Sequence, residues 1–257
     1  MRVLNFLNRQ TKPAAEKMTI CSAERSYELA IVRHPRARRY TIRVRDAYRD
    51  VVLTMPMRGS LAEAHNFAQK NIAWIASKLS RLPDIVSFAD GEIVPFRGIP
   101  HSIAHRPNGR GSVWIEHDVS GNALICVSGD AAHISRRVTD FLKRESRKVL
   151  TERSRFYAAK VGVTISKIGL RDSASRWGSC SESGSLSYSW RLILAPEFVL
   201  DYLAAHEIAH RIELNHSKRF WNLLDSMTAD RVRAETWLST HGNSLHRYGK
   251  PRATRRV

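Results

Sequence analysis

The run Phe198-Val199-Leu200-Asp201-Tyr202-Leu203-Ala204-Ala205-His206-Glu207-Ile208-Ala209-His210 decides how this chain is to be read. Phe198, Val199, Tyr202, Leu203, Ile208, Ala209 and Ile212 recur at helical spacing, and inside that helix stands His-Glu-x-x-His. Four residues of α-helix advance about 400° and 6 Å, which sets His206 and His210 on one side, ready to share one ion. Glu207 is turned about 100° away from His206 and is better placed beside a bound water than as a further ligand. Catalytic zinc takes three protein ligands and leaves one position open. His216 is the natural third. The helix can end near Leu214-Asn215, with Asn215 in a left-handed conformation, and Ser217 can cap a following helix through Phe220, Trp221, Leu224 and Met227. A reversal there swings His216 back to the other two. Two core histidines would give the same pattern without function, yet His-Glu-x-x-His followed by His at this distance arises by chance in roughly one such chain in a thousand. His101 and His105 are also four apart but follow Pro100 in a strand-like stretch and read as surface histidines.

Outward from this run the chain is mixed. Residues 1–20 lack periodicity and read as a flexible tail. Tyr27–Val32 alternates like a strand, and Tyr40–Arg45 with Val51–Met55 reads as a hairpin. Ser60-x-x-Glu63 opens a helix whose apolar residues run from Leu61 to Leu79, ahead of Pro83. Further strands are expected at Ile93–Phe96, Ser102–Ala104, Val113–Ile115 and Ala123–Val127, extending the first sheet or curling with it. A long helix spans Ile134 to Lys160 and stops at Gly162; strands follow at Val163–Leu170 and Ser185–Leu194, the second at the border of the metal helix, where a peptide could add to its edge. No internal repeat is visible. The best boundary lies near residue 130.

Composition narrows the setting. The 257 residues are 43% hydrophobic, enough for a large core, and 42 Lys and Arg against 24 Asp and Glu leave a net charge of +18. That excess favours an anionic partner and says nothing of the fold. Arg136, Arg137, Lys143, Arg144, Arg147, Lys148, Arg153, Arg155 and Lys160 on the long helix, with Arg247, Lys250, Arg252, Arg255 and Arg256 at the end, read as a solvated face and tail or as a track for a nucleotide or nucleic acid. Three scattered cysteines, no apolar run near about 18 residues and no signal-peptide core place the protein in the cytoplasm, off the membrane. Oligomeric state is not legible.

Arg176-Trp177-Gly178-Ser179-Cys180-Ser181, Gly184-Ser185-Leu186, Trp190-Arg191-Leu192, Ala195-Pro196, His206-Glu207-x-x-His210 and Asn215-His216-Ser217-x-x-Phe220-Trp221 together resemble the YgjP-like zinc metallopeptidases, relatives of the SprT-like group. The likeness extends over residues 25–245, with Arg36-Ala37-Arg38-Arg39 and Trp74-Ile75 in its earlier half. It departs at Tyr188-Ser189, where an Asn nearer Trp190 is expected. The resemblance implies an α+β protein with a small zincin-like core, His206, His210 and His216 as ligands to one Zn2+, and Glu207 as catalytic carboxylate. Other divalent metals suit the same imidazoles. The expected division is a tail at 1–20, a β-rich part with one helix at 21–130, the catalytic region at 131–246 and a basic tail at 247–257. Arg176, Trp177, Tyr188 and Arg191 are candidates to bind a peptide or protein substrate. Two other functions fit the residues: a metal-dependent nucleotide phosphohydrolase at the same site, and a nucleic-acid-associated protein with a structural metal.

Overall fold

The computed structural model describes residues 16–22, 25–45, 49–173 and 176–249. The fold is α+β, with strands gathered in the first half and helices in the second. It divides into two compact units, Met1–Leu82 and Pro83–Val257. The boundary expected near residue 130 is therefore displaced, because Val94, Ile103, Ile125 and Val127 share one core with Ile134, Val138 and the later helices.

In the first unit β1 (Glu16–Cys21), β2 (Ser26–His34), β3 (Thr41–Arg45) and β4 (Asp50–Pro56) form a sheet in the order β1-β2-β4-β3. The pairings are antiparallel, parallel and antiparallel. The tail expected to reach residue 20 thus ends earlier, since Ile20 is fully buried in this core; residues 1–15 lie outside the described residues. The helix expected to run unbroken from Leu61 is two, α1 (Leu61–Lys70) and α2 (Ile72–Ser80). Asn71 makes the break: its amide donates to the Phe67 carbonyl at 2.8 Å, competing with the helical ladder.

The second unit opens with β5 (Ile93–Phe96), β6 (Ile99–His105), β7 (Val113–His117) and β8 (Ala123–Val127). These do not extend the first sheet. They form their own, ordered β5-β6-β8-β7 and again paired antiparallel, parallel and antiparallel. The plan of the first unit recurs without legible sequence repetition, because strand order depends on alternation of apolar residues and on turns, which many residue choices satisfy. His101, expected at the surface, is buried, with its Nδ1 against the Ile99 carbonyl.

α3 (Ile134–Val161) buries one stripe, Ile134, Val138, Phe141, Leu142, Leu150, Tyr157 and Ala158, and leaves its basic side in water. It ends at Gly162, whose φ of 70° is left-handed, as expected. β9 (Lys167–Arg171), β10 (Gly178–Cys180) and β11 (Ser185–Ser189) make a three-stranded sheet with β11 in the middle. The strand expected to continue to Leu194 gives way after Ser189 to a buried 3-10 turn, Trp190–Leu194. α4 (Glu197–Ala209) follows, buried on nearly every side, which is why it carries little amphipathic character. Asp201 on α4 accepts from Tyr157 at 2.5 Å and pairs with Arg153, fixing α4 to α3. α5 (Lys218–Met227) and α6 (Arg231–His241) close the unit. Of the tail placed at 247–257, Tyr248 bridges to Val86, and residues beyond 249 lie outside the described residues.

Candidate metal centre

α4 and the bend after it bring His206, His210 and His216 together, with one nitrogen of each within 4.8 Å of the others. The Nε2 atoms of His206 and His216 are 3.2 Å apart. Two nitrogens bound to one tetrahedral zinc stand about 3.3 Å apart, given Zn–N bonds of about 2.05 Å. The bend does not use a left-handed Asn215: among the described residues the non-glycine positions with positive φ are Arg49 and Arg97. Instead the last carbonyls of α4 are satisfied by tight turns, Arg211 N–H to Ile208 and Ile212 N–H to Ala209, and Ser217 N–H closes on the Asn215 carbonyl. Ser217 precedes α5 as expected, though its hydroxyl makes no capping bond.

Two further contacts settle the tautomers. The Tyr202 hydroxyl donates to Glu235 Oε1 at 2.9 Å and lies 3.2 Å from His206 Nδ1. A hydroxyl has one proton, so Nδ1–H of His206 must donate to it, which leaves Nε2 as the bare lone pair. His210 donates from Nδ1 to the Glu213 carbonyl at 3.1 Å and is set the same way. Phe220, fully buried, floors the cluster with its ring centroid 5.0, 4.6 and 4.7 Å from those of His206, His210 and His216. In this apolar setting burial, and then the other two imidazoles, push the His206 pKa down to about 3, and burial lowers that of His210. Neutral imidazole is the form that binds metal.

Glu207 is 4% exposed, and its Oε2 is buried without a partner. Burial pushes its pKa up to about 8. It lies under β10, where a Cβ added to Gly178 would stand 2.1 Å from Glu207 Oε1. Gly178 is needed for space, since any side chain there would displace the carboxylate. Glu235 was not singled out from sequence, and Tyr202, Phe220 and Gly178 stand in the quoted runs without the parts they play here. Tyr202 was legible as the residue one turn before His206, whereas Glu235 lies too far along the chain to be linked to it by spacing.

The four residues expected to meet substrate are differently placed. Arg176 is exposed and lines a cavity beside β10. Trp177 stacks on His246, with ring centroids 5.2 Å apart. Tyr188 is 1% exposed and its hydroxyl is taken by Ser154 of α3 at 2.9 Å. Arg191 is buried, bonded to Asp172 and to the carbonyls of Leu245 and Tyr248. Tyr188 and Arg191 therefore use their polar ends inside the protein.

A buried helix and the bend after it, bringing together three convergent imidazoles and an enclosed carboxylate, define a metallohydrolase class of site. The family of YgjP-like metallopeptidase domains matches residues 38–241, most of the chain. The chain belongs to that family, which makes it a metallopeptidase in general kind, with zinc as the usual metal. Comparison with curated proteins and with solved structures gave no match.

Two outcomes follow from this packing. Gly178→Ala should lower the unfolding free energy by about 1–3 kcal/mol, and adding Glu207→Ala should recover much of the loss; urea unfolding of the four proteins of the cycle measures it. In chelator-treated protein Glu207 binds its proton more tightly folded than unfolded, so its contribution is whole below pH 4.5 and lost as the pH rises through about 8. His206 works in the opposite sense, from its ordinary 6.5 down to about 3, and is common to both proteins compared. Glu207→Gln should therefore gain on the parent by up to roughly 1.4 kcal/mol per pH unit between pH 5 and 8, read from urea midpoints at each pH.

Proposed function

We propose that the protein is a zinc-dependent peptidase in which His206, His210 and His216 hold one zinc ion and Glu207 is the general base. The observation that carries this reading is the convergence of three imidazole nitrogens, from α4 and the bend after it, next to a buried carboxylate oxygen without a partner among the described residues. The donor set suits zinc: three neutral nitrogens at the right separation, with the far side of two rings hydrogen-bonded. Bound zinc supplies Lewis acidity, bringing the pKa of water toward neutrality and polarising a carbonyl oxygen.

The rest of the chemistry is the chain's own. A cation held by the three imidazoles would favour the carboxylate form of Glu207, whose Oε2 has no partner among the described residues and is free to take the proton of an attacking water. The same oxygen returns that proton to the departing amine nitrogen. Burial raises the proton affinity of Glu207, which favours acceptance near neutral pH, and a cation held by the imidazoles would offset that effect and favour release. Tyr202 and Glu235 hold His206 in one tautomer and one orientation. The outer edge of β10, beside Glu207, is the sheet edge at which an extended peptide can pair; β11, to which that role was first assigned, is flanked on both sides. The substrate is a peptide or protein met in the cytoplasm, in keeping with three free cysteines and with the finding that no described helix is long and apolar enough to cross a membrane.

A second reading draws on the cavity bordered by Lys143, Arg144, Arg147 and Arg171, whose cations suit phosphates: a nucleotide phosphohydrolase at the same metal site, or a nucleic-acid partner.

Zinc-loaded protein offered unstructured peptides and, separately, nucleoside triphosphates should cleave the peptides. Glu207→Gln should retain one zinc and lose turnover by at least about 100-fold. Phosphate release without peptide cleavage would replace the peptidase reading by the second. Tyr202→Phe frees His206 Nδ1 and should weaken zinc about 10–100-fold in competition with a chromogenic chelator; unchanged affinity would remove Tyr202 from this role.

A further inference from the structure

β11 presents two unlike faces. Leu186 and Tyr188 turn inward, Tyr188 reaching Ser154 of α3, while Ser185, Ser187 and Ser189 alternate onto the other side. On that side the neighbouring strands are also small: Ser187 is paired with Gly169 of β9 and with Ser179 of β10, and Ser189 with Arg171. A cavity of about 270 Å³ opens here, walled by Arg171, Arg176, Gly178, Ser179, Ser187 and Ser189 among others. Ser187 is 8% and Ser189 1% exposed, and neither hydroxyl has a hydrogen-bond partner among the described residues. A buried hydroxyl without a partner is costly, and two of them on one cavity wall are donors awaiting an acceptor. Arg171 and Arg176 are exposed and form no ion pair among the described residues, and no carboxylate lines the cavity. The nearest acid in sequence, Asp172, is bonded to Arg191 instead. Gly178 belongs both to this wall and to the contact with Glu207.

We propose that this cavity is a subsite for a carboxylate of the substrate, an acidic side chain or the C-terminal carboxylate of a peptide lying along β10. The proposal rests on the peptidase reading for the peptide that carries the group. The volume suits a side chain, and two guanidinium groups with two hydroxyls offer donors enough for both oxygens of a carboxylate. The net charge of +18 attracts acidic chains to the whole surface, so the subsite must be told apart from that general field.

Binding measured without turnover does this. Zinc-loaded Glu207→Gln protein is titrated by fluorescence anisotropy with labelled peptides that differ by one Glu or Gln at each position, each peptide with a free and with an amidated C-terminus. One acidic peptide should bind about tenfold tighter than its Gln or amidated counterpart, the position of the effect telling side chain from terminus. Arg171→Gln with Arg176→Gln should abolish the preference; Arg110→Gln with Arg155→Gln, which removes equal charge elsewhere, should keep it. Equal loss in both pairs, or no preference at all, would overturn the subsite even if peptides are cleaved. A preference lost only in the first pair, with no peptide cleaved by the parent enzyme, would keep the anion site and reject the peptidase. Tighter binding of a nucleoside triphosphate than of every acidic peptide, lost in the same pair, would overturn the assignment to carboxylate.

Discussion

A carboxylate enclosed among apolar side chains, one residue from an imidazole that binds best when neutral, is the constraint around which the second unit is arranged. Glu207 and His206 both resist charge because water is kept from them. Their environment is built by α4, which is covered on nearly every side, and by Phe220 beneath the rings. A surface helix could carry the same run, residues 206–210, and leave its side chains unperturbed.

The surrounding elements follow from the need to hold that helix still. α3 lies along it and is fixed through Arg153, Tyr157 and Asp201. The three-stranded sheet reaches Glu207 through a strand that has no side chain at the point of approach. Tyr202, one turn before His206, ties its imidazole to Glu235 on α6, and Glu235 lies 3.7 Å from Arg231, which also pairs with Asp225 of α5. The last two helices are thus joined to the orientation of a single ring.

Sequence reasoning put His206 and His210 on one side of a helix because periodicity and four-residue spacing are local properties, and the expected reversal after that helix is what brings His216 beside them. The limits of α3 and its stop at Gly162 were legible for the same reason. The break at Asn71 was missed because it depends on one side chain competing for a carbonyl inside an otherwise regular pattern. The division between Leu82 and Pro83 was missed because β5–β8 share a core with residues that come later, and apolar alternation does not tell which partner a strand will bury against. Tyr188 and Arg191 looked available in a motif rich in polar and aromatic groups, but their partners, Ser154 and Asp172, are set by tertiary packing. The roles of Gly178 and Glu235 are likewise invisible until distant segments meet.

The strand order β1-β2-β4-β3 of the first unit and β5-β6-β8-β7 of the second is one plan serving two different ends. Among the described residues the cluster able to take a metal lies wholly in the later unit. The earlier sheet repeats the pairing scheme of the later one without sharing its chemistry. Exposed positions of the earlier unit, Arg36, Arg38 and Arg39 among them, therefore lie outside the unit that holds the cluster, and a change of side chain there leaves its imidazoles and carboxylate untouched.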